Sequence, residues 1–218
     1  MTLDIQAARE QMITQQIRTW NVLDERVLQT LRNVSREQFA PEAYRELAFA
    51  DTNLPLTQGQ VMLAPKIEGK ILQALNVQSS DQVLLIGAGS GHLAACLGQL
   101  ADKVRVIEYH PELVEQVQRK LQQATSNNVS IETGDATQLN LDQAYDVIVI
   151  TGSLPVYDER FQRALKIGGR LFAVVGSKAP MEAVKITRTD ANSWQRDSLF
   201  ETELPALANA VHPSTFVF

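Results

Sequence analysis

Three glycines at alternate positions, Gly87, Gly89 and Gly91, follow an apolar run at residues 82–86. The run predicts a buried strand, and the apolar residues after the glycines, through Leu100, predict a helix. Glycines at a strand-to-helix turn let the backbone bend tightly and come close to a ligand. The sequence therefore predicts a ligand-binding loop at this point.

Two carboxylates follow the next two strand-like runs. Glu108 ends a run at 104–107, and Asp135 follows a run at 129–133. Ligands of open α/β sheets bind at the carboxyl ends of the strands. There the Glu108 carboxylate can accept hydrogen bonds from ribose hydroxyls, and Asp135 with Ala136 can face an adenine. The sequence therefore predicts an adenosine-containing cofactor, held by Gly87, Gly89, Gly91, Glu108, Asp135 and Ala136.

The spacing of the glycines discriminates between two classes of cofactor. It is G-x-G-x-G, whereas a dinucleotide fingerprint has G-x-G-x-x-G. The observed spacing favours S-adenosylmethionine over NAD, and hence a methyltransferase over an oxidoreductase. The alternative is a turn that holds no ligand, in which Glu108 and Asp135 cap helices or loops.

Composition excludes several other classes of protein. The chain has 218 residues, 44% of them hydrophobic, and its formal net charge of −5 gives no positive field for nucleic acid. The lone Cys96 excludes an internal disulfide and a cysteine zinc cluster, and the three histidines lack metal-ligand spacing. The polar N-terminus is unlike a signal peptide, and no apolar stretch approaches the ~20 residues of a membrane span. We expect a cytoplasmic protein with no metal, nucleic-acid or membrane partner.

The hydrophobic period changes near residue 81 and divides the chain into two parts. Residues 1–80 carry helical apolar stripes around an irregular stretch at 50–64, and they predict a helical cap. Residues 81–218 alternate strand-like and helical runs, which predicts a parallel sheet with crossover helices. The fold class is therefore α/β, with a doubly wound, mostly parallel sheet in a single domain, residues 1–218.

The element boundaries follow from the same patterns. We predict helices at residues 5–19, 25–33, 41–47, from 65 onward, 93–100, 111–124 and 160–165. We predict seven strands, the last two joined by a hairpin turn, at residues 83–86, 104–107, 129–133, 147–151, 170–175, 183–188 and 194–201.

Motifs along most of the chain resemble those of the protein-L-isoaspartate O-methyltransferases. Residues 16–28 and 34–41 resemble that family's leading helices and its next signature, and residues 53–65 resemble its loop before the cofactor domain. Residues 145–151 and 168–176 are similar to its fourth and fifth strands. The glycine motif is shared by many methyltransferases, whereas the N-terminal and loop motifs are more selective for this family.

The resemblance implies a Rossmann-like methyltransferase sheet and a protein-repair reaction. In that reaction a methyl group passes from S-adenosylmethionine to the α-carboxylate of L-isoaspartyl residues in damaged peptides or proteins, and S-adenosylhomocysteine remains. The resemblance also implies that Gln60, Leu63 and Pro205 lie at the substrate. Thr151 matches a family threonine after the fourth strand, and Ser153 can offer a substrate-facing hydroxyl or cap a turn. We therefore predict Thr151 and Ser153 as catalytic residues.

Some positions depart from the family pattern. The family has threonine and serine where this chain has Val61 and Leu63, an acid where it has Leu85, and an aromatic residue where it has His92. Losing one hydrogen bond to a charged group costs about 1.5–3 kcal/mol. A second hypothesis therefore stays open: a non-catalytic or redirected homologue that binds S-adenosylmethionine or a protein partner without isoaspartyl repair. The sequence also leaves the oligomeric state open.

Overall fold

The computed structural model describes residues 4–141 and 144–213, and the N-terminal part of this structure is mainly helical. Two helices begin after an aspartate, Asp4 or Asp24, whose carboxylate accepts backbone N–H hydrogen bonds from the first turn. A third helix begins at Pro65, whose fixed φ suits the first helical position. The α-helices of this part are α1 (Ile5–Met12), α2 (Glu25–Asn33), α3 (Arg36–Phe39) and α4 (Pro65–Leu75).

Several N-terminal predictions need correction. The helix predicted at 5–19 is α-helical only as far as Met12, and the one predicted at 41–47 is a 3-10 helix. Helix α3 was not predicted, because four residues are too few to show a helical period. The stretch at 50–64, predicted to be irregular, contains a short hairpin of β1 (Leu54–Pro55) and β2 (Val61–Met62). The remaining short helices are a π-helix at Ile13–Ile17 and 3-10 helices at Arg18–Trp20, Glu42–Leu47 and Thr57–Gly59.

Seven strands form the main sheet, which confirms the predicted fold class. Five of them are parallel, and the last two form a hairpin at one edge, in which β8 is antiparallel to β7 and β9 is antiparallel to β8. The order across the sheet is β5-β4-β3-β6-β7-β8-β9. The strands are β3 (Gln82–Ile86), β4 (Lys103–Glu108), β5 (Val129–Thr133), β6 (Tyr145–Leu154), β7 (Leu165–Val175), β8 (Met181–Asp190) and β9 (Ser193–Thr202).

Alternate residues of each inner strand enter two separate apolar cores, because successive side chains of a strand point to opposite faces. In β3, Val83 and Leu85 pack with the N-terminal helices, whereas Leu84 and Ile86 pack on the other face. The crossover helices are α5 (His92–Leu100), α6 (Pro111–Gln123) and α7 (Glu159–Arg163). Helix α7 is shorter than the predicted 160–165, because Leu165 already belongs to β7. The core on the first face is much the larger, since α1, α2, α4, α5 and α6 all contribute to it.

Within residues 4–141 and 144–213, no helix has both the length and the apolar character that crossing a membrane requires.

Candidate functional site

The register of the sheet brings the predicted cofactor residues to one edge. The last residue of β3 pairs with the residue before Glu108 in β4 and with the residue before Thr151 in β6. Gly87, Glu108 and Thr151 therefore follow one another in a single row across three strands. Glu108 also pairs with Thr133, the last residue of β5, so Asp135 follows at the same edge. The strand order changes direction beside β3, which is where open α/β sheets bind ligands.

Gly87 lies so close to the Thr151 side chain that only glycine can occupy position 87. Gly87 has φ +86°, and a Cβ there would lie 2.2 Å from Thr151 Oγ1. The Thr151 hydroxyl lies within hydrogen-bonding distance of two carbonyl oxygens, those of Ile86 at 3.1 Å and Gly87 at 3.0 Å. Thr151 thus joins the end of β6 to the start of the glycine loop.

The other two glycines of the motif have different roles. Gly89 has φ +53°, and a Cβ there would lie 3.3 Å from the carbonyl oxygen of Val61, so the loop runs close to the β1–β2 hairpin. Gly91 has φ +91° and is the residue before α5, where a Cβ would meet Val117 Cγ1 at 2.8 Å. Gly91 therefore allows α5 to pack closely on α6, and the structure does not place it in the cleft described below.

Glu108 is a buried carboxylate that ties two loops together. Glu108 is only 4% exposed. Oε2 accepts the backbone N–H of Ala88 at 2.8 Å, and Oε1 accepts that of His110 at 2.9 Å. Each carboxylate oxygen has two lone pairs, so these bonds leave further acceptor capacity.

Asp135 is held in place by three hydrogen bonds. Oδ1 accepts the backbone N–H of Thr137 at 2.9 Å and its hydroxyl at 2.7 Å, and Oδ2 accepts Asn209 Nδ2 at 2.8 Å. Burial by itself would raise the pKa of Asp135, but the hydrogen bonds from Thr137 and Asn209 outweigh it and hold this pKa below its ordinary value. Asp135 is therefore a fixed anion at neutral pH.

An irregularity in β6 shapes the next wall of the site. Val149 pairs with Phe172 and Ser153 with Val174, so β6 has two more residues than β7 between these pairs. Such bulges bend a strand and redirect its side chains. A Cβ on Gly152 would lie 2.8 Å from Leu207 Cα, so the bulge also brings the C-terminal segment 204–207 against the sheet.

Ser153 holds that C-terminal segment in place. Its backbone N–H donates to the carbonyl of Pro205 at 2.8 Å, its carbonyl accepts the N–H of Leu207 at 2.8 Å, and its hydroxyl donates to the carbonyl of Leu204 at 3.1 Å. Ser153 is 1% exposed. The prediction that Ser153 offers a hydroxyl to a substrate is not supported by its position, because that hydroxyl is bonded to the backbone and buried.

These elements line an open cleft at the carboxyl edge of the sheet, with about 420 Å³ of space including its solvent-filled mouth, and we call it the outer cleft. It is lined by the predicted residues Gln60, Gly87, Glu108, Asp135, Ala136 and Thr151, together with Tyr109, His110, Leu207 and others. Carboxylates at two places and apolar side chains between them suit a nucleoside, whose ribose is polar and whose base is flat and largely apolar. Pro205 does not line the outer cleft; it supports the segment that does.

A second, smaller cleft of about 230 Å³ lies on the other side of the glycine loop, and we call it the inner cleft. Its lining includes Val61, Leu63, Gly89 and Ser90, and Thr151 lines both clefts. Leu63 is 5% exposed, so the predicted substrate residue is mostly covered. The wall formed by the β1–β2 hairpin and Leu63 is apolar.

A buried polar cluster of Arg36, Glu68 and His92 lies beneath the inner cleft. The three residues are 1–2% exposed. Arg36 donates to Glu68 Oε2, and His92 Nδ1 lies 2.7 Å from the same oxygen. Arg36 also donates to the carbonyl of Ala48 at 2.7 Å and to that of Leu63 at 2.5 Å. Burial by itself would raise the pKa of Glu68, but His92 and the Arg36 guanidinium outweigh it and lower this pKa.

Sequence reasoning missed this cluster, although one signal for it was visible. Glu68 lies at helical spacing with Ile71, Leu72 and Leu75, so it falls within the apolar stripe of α4. A charged residue in such a stripe indicates a buried partner. Tyr109 was missed because it has no pattern of its own; it lines the outer cleft beside Glu108. In the described residues no group of three or more His, Cys, Asp or Glu side chains could hold a metal ion.

Comparison with known proteins identifies relatives over nearly the whole chain. Residues 7–206 match the family model of protein-L-isoaspartate(D-aspartate) O-methyltransferase. The chain is 35% identical over 203 residues to a protein-L-isoaspartate O-methyltransferase of Koribacter versatilis, covering 92% of this chain and 91% of the relative. It is 36% identical over 201 residues to one of Rhodopseudomonas palustris, covering 91% and 92%.

The fold is similar to that of a solved structure as well. A Plasmodium falciparum protein, described as a protein-L-isoaspartate O-methyltransferase in complex with S-adenosyl-L-homocysteine, superposes with a TM-score of 0.80. The superposition covers 94% of this chain and 99% of that one at 18% sequence identity. This similarity concerns the fold.

Proposed function

Because the chain belongs to the protein-L-isoaspartate O-methyltransferase family, we propose that it uses S-adenosylmethionine to methylate the free carboxylate of L-isoaspartyl residues. The observation that carries this proposal for the present chain is the outer cleft. There a buried carboxylate, Glu108, faces a glycine loop in which a Cβ at Gly87 would collide with Thr151.

The residues of the outer cleft fit the adenosine part of this cofactor. Glu108 can accept hydrogen bonds from the ribose hydroxyls, since its two backbone bonds leave lone pairs free. Asp135 and Ala136 lie where the adenine would be, with Asp135 held as an anion that can accept from an amino group. Glycine at positions 87 and 89 lets the loop lie against Thr151 and the Val61 carbonyl, to which a Cβ would come within 2.2 and 3.3 Å.

The chemistry requires orientation and dehydration more than proton transfer. When bound, the cofactor would supply a methyl group to the acceptor oxygen. The electron pair of the broken carbon–sulfur bond would stay on sulfur, which leaves S-adenosylhomocysteine. A carboxylic acid with an ordinary pKa near 4 is ionised at neutral pH, so the acceptor needs no general base. The buried, apolar Leu63 helps to exclude water, and alignment of the reactants can contribute roughly 7–11 kcal/mol.

A methyl-transfer assay tests the proposal. The purified protein is incubated with S-adenosylmethionine carrying a radiolabelled methyl group and with an L-isoaspartyl peptide; the control peptide has the same sequence with ordinary aspartate. We expect base-labile label on the isoaspartyl peptide alone. No incorporation at saturating cofactor, or equal labelling of both peptides, would reject the isoaspartyl specificity.

One observation favours a second candidate function. The wall of the inner cleft made by Val61 and Leu63 has no hydroxyl to hold an acceptor carboxylate, which suits a homologue that acts on a different acceptor or only binds. If this alternative is right, the unaltered protein methylates isoaspartyl peptides at a rate near zero, and Leu63→Ser raises that rate. The control Ile167→Ser, at a residue that is 63% exposed, leaves the rate unchanged. Rapid methylation by the unaltered protein would reject the alternative.

A further inference from the structure

Glu68 has an oxygen that the protein itself does not use. The residue is 2% exposed, yet it lines the inner cleft. Among residues 4–141 and 144–213, the hydrogen bonds from Arg36 and His92 reach only its Oε2 atom. A buried charge is costly unless it is paired and its remaining lone pairs are satisfied. The other oxygen, Oε1, accepts neither of these bonds and is not among the fully buried side-chain atoms of the described residues that lack a partner, so it is open to a cationic or N–H-bearing group in the cleft.

The position of Glu68 restricts what that partner is. The inner cleft adjoins the outer cleft across the glycine loop, and Thr151 lines both. A nucleoside held by Glu108 and Asp135 in the outer cleft therefore directs its opposite end toward the inner cleft. In S-adenosylmethionine that end is an amino acid. Of its charged groups, the carboxylate would be repelled by Glu68, the sulfonium carries no N–H, and only the ammonium can donate hydrogen bonds.

We infer that Glu68 Oε1 binds the ammonium group at the amino-acid end of the cofactor, which makes Glu68 a specificity-determining residue reaching the site from α4. The inference rests on the proposed use of S-adenosylmethionine. Arg36 and His92 both contact Oε2 and hold the carboxylate in one orientation, which leaves Oε1 as the acceptor that Glu68 can offer to the inner cleft it lines. The apolar neighbours Val61 and Leu63 exclude water, which strengthens a charge-assisted hydrogen bond there.

The unaltered protein gives the first test. Calorimetric titration compares S-adenosylhomocysteine with 5′-S-(3-carboxypropyl)-5′-thioadenosine, which lacks only the amino group. S-adenosylhomocysteine is the better probe because it keeps the ammonium and has no sulfonium charge. We expect removal of the amino group to weaken binding about 10- to 100-fold, as for a lost hydrogen bond between charged groups. Equal affinities would overturn the inference, whereas failure of both compounds to bind would reject the proposed cofactor itself.

A variant gives the second test. Glu68→Gln should weaken S-adenosylhomocysteine binding at least about tenfold while changing the affinity of the desamino compound by no more than about threefold. The control is Glu115→Gln, at an exposed position of α6, which should change neither. Equal losses for both ligands would assign Glu68 a purely structural role and overturn the inference. If Glu68→Gln does not fold, the comparison of the two ligands in the unaltered protein decides alone.

Discussion

At the scale of single residues, the proposed cofactor site rests most on Glu108. Replacing it with glutamine keeps the size of the side chain but removes the charge that would accept ribose hydroxyls. We expect Glu108→Gln to weaken S-adenosylhomocysteine binding by about 1.5–3 kcal/mol, measured by calorimetric titration. Glu115→Gln, on the exposed side of α6, is the control. Unchanged affinity in Glu108→Gln would place the ribose elsewhere.

Gly87 gives a second prediction at this scale. Gly87→Ala would force a Cβ to within 2.2 Å of Thr151 Oγ1, whereas Gly168→Ala, at a similar φ of +82°, meets nothing within 4 Å. We expect Gly168→Ala to show only the backbone strain of about 1–2 kcal/mol and to bind cofactor normally. Gly87→Ala should lose about 1–3 kcal/mol more in urea unfolding and bind S-adenosylhomocysteine more weakly. Equal behaviour of the two variants would contradict this account of the loop.

How far single residues can be predicted depends on whether their partners are local. The placement of Glu108 and Asp135 at the carboxyl edge of the sheet was predictable, because each comes at the end of an apolar run that is visible in the sequence. Ser153 was not, because the carbonyl that its hydroxyl meets belongs to Leu204, 51 residues further along. A hydroxyl near a strand end looks the same in the sequence whether it faces a ligand or the backbone.

At the scale of elements, Ser153 fastens the segment 204–207 to the end of β6. Ser153→Ala should leave the buried carbonyl of Leu204 without this donor and lower the free energy of unfolding by about 1–3 kcal/mol. We expect kcat/KM for methyl transfer to fall by less than about tenfold. The exposed Ser193→Ala serves as the control. A loss of several orders of magnitude in kcat, with unchanged stability, would instead assign the hydroxyl to the reaction.

The strands themselves were predictable from their apolar runs, and all seven appear at the expected places. The irregularity of β6 was not, because two extra residues between Val149 and Ser153 do not interrupt the apolar pattern. Thr151 was predicted as a site residue, but the irregularity that brings Gly152 into the lining of the cleft and against Leu207 was not. The same holds for α3, whose four residues carry Arg36 into the core.

At the scale of the whole molecule, the ion pair of Arg36 and Glu68 joins α3 to α4, and His92, the first residue of α5 after the glycine loop, contacts the same Glu68 oxygen. We expect Arg36→Met and Glu68→Gln each to cost about 3–5 kcal/mol in urea unfolding, because each leaves a buried charge unpaired. The double variant should cost less than the sum, with a coupling of about 0.5–3 kcal/mol. The control is the exposed pair of Arg18 and Glu25, whose coupling should stay below about 1 kcal/mol. Additive losses at Arg36 and Glu68 would contradict this role.

The start of the main sheet, with β3 at Gln82, was predictable because the hydrophobic period changes near residue 81. The way in which the two parts join was not. His92 of α5 contacts Glu68 of α4, 24 residues away, and Lys120 of α6 donates to the carbonyl of Phe39, 81 residues away. Charged residues in apolar stripes are the available signal, but the sequence does not say which of them pair.

The most direct test of the account is a crystal structure of the protein with S-adenosylhomocysteine. We predict the ribose hydroxyls on Glu108, the adenine beside Asp135 and Ala136, and the amino-acid end across the glycine loop in the inner cleft. An empty outer cleft at saturating ligand, or a nucleoside bound away from Glu108, would contradict it.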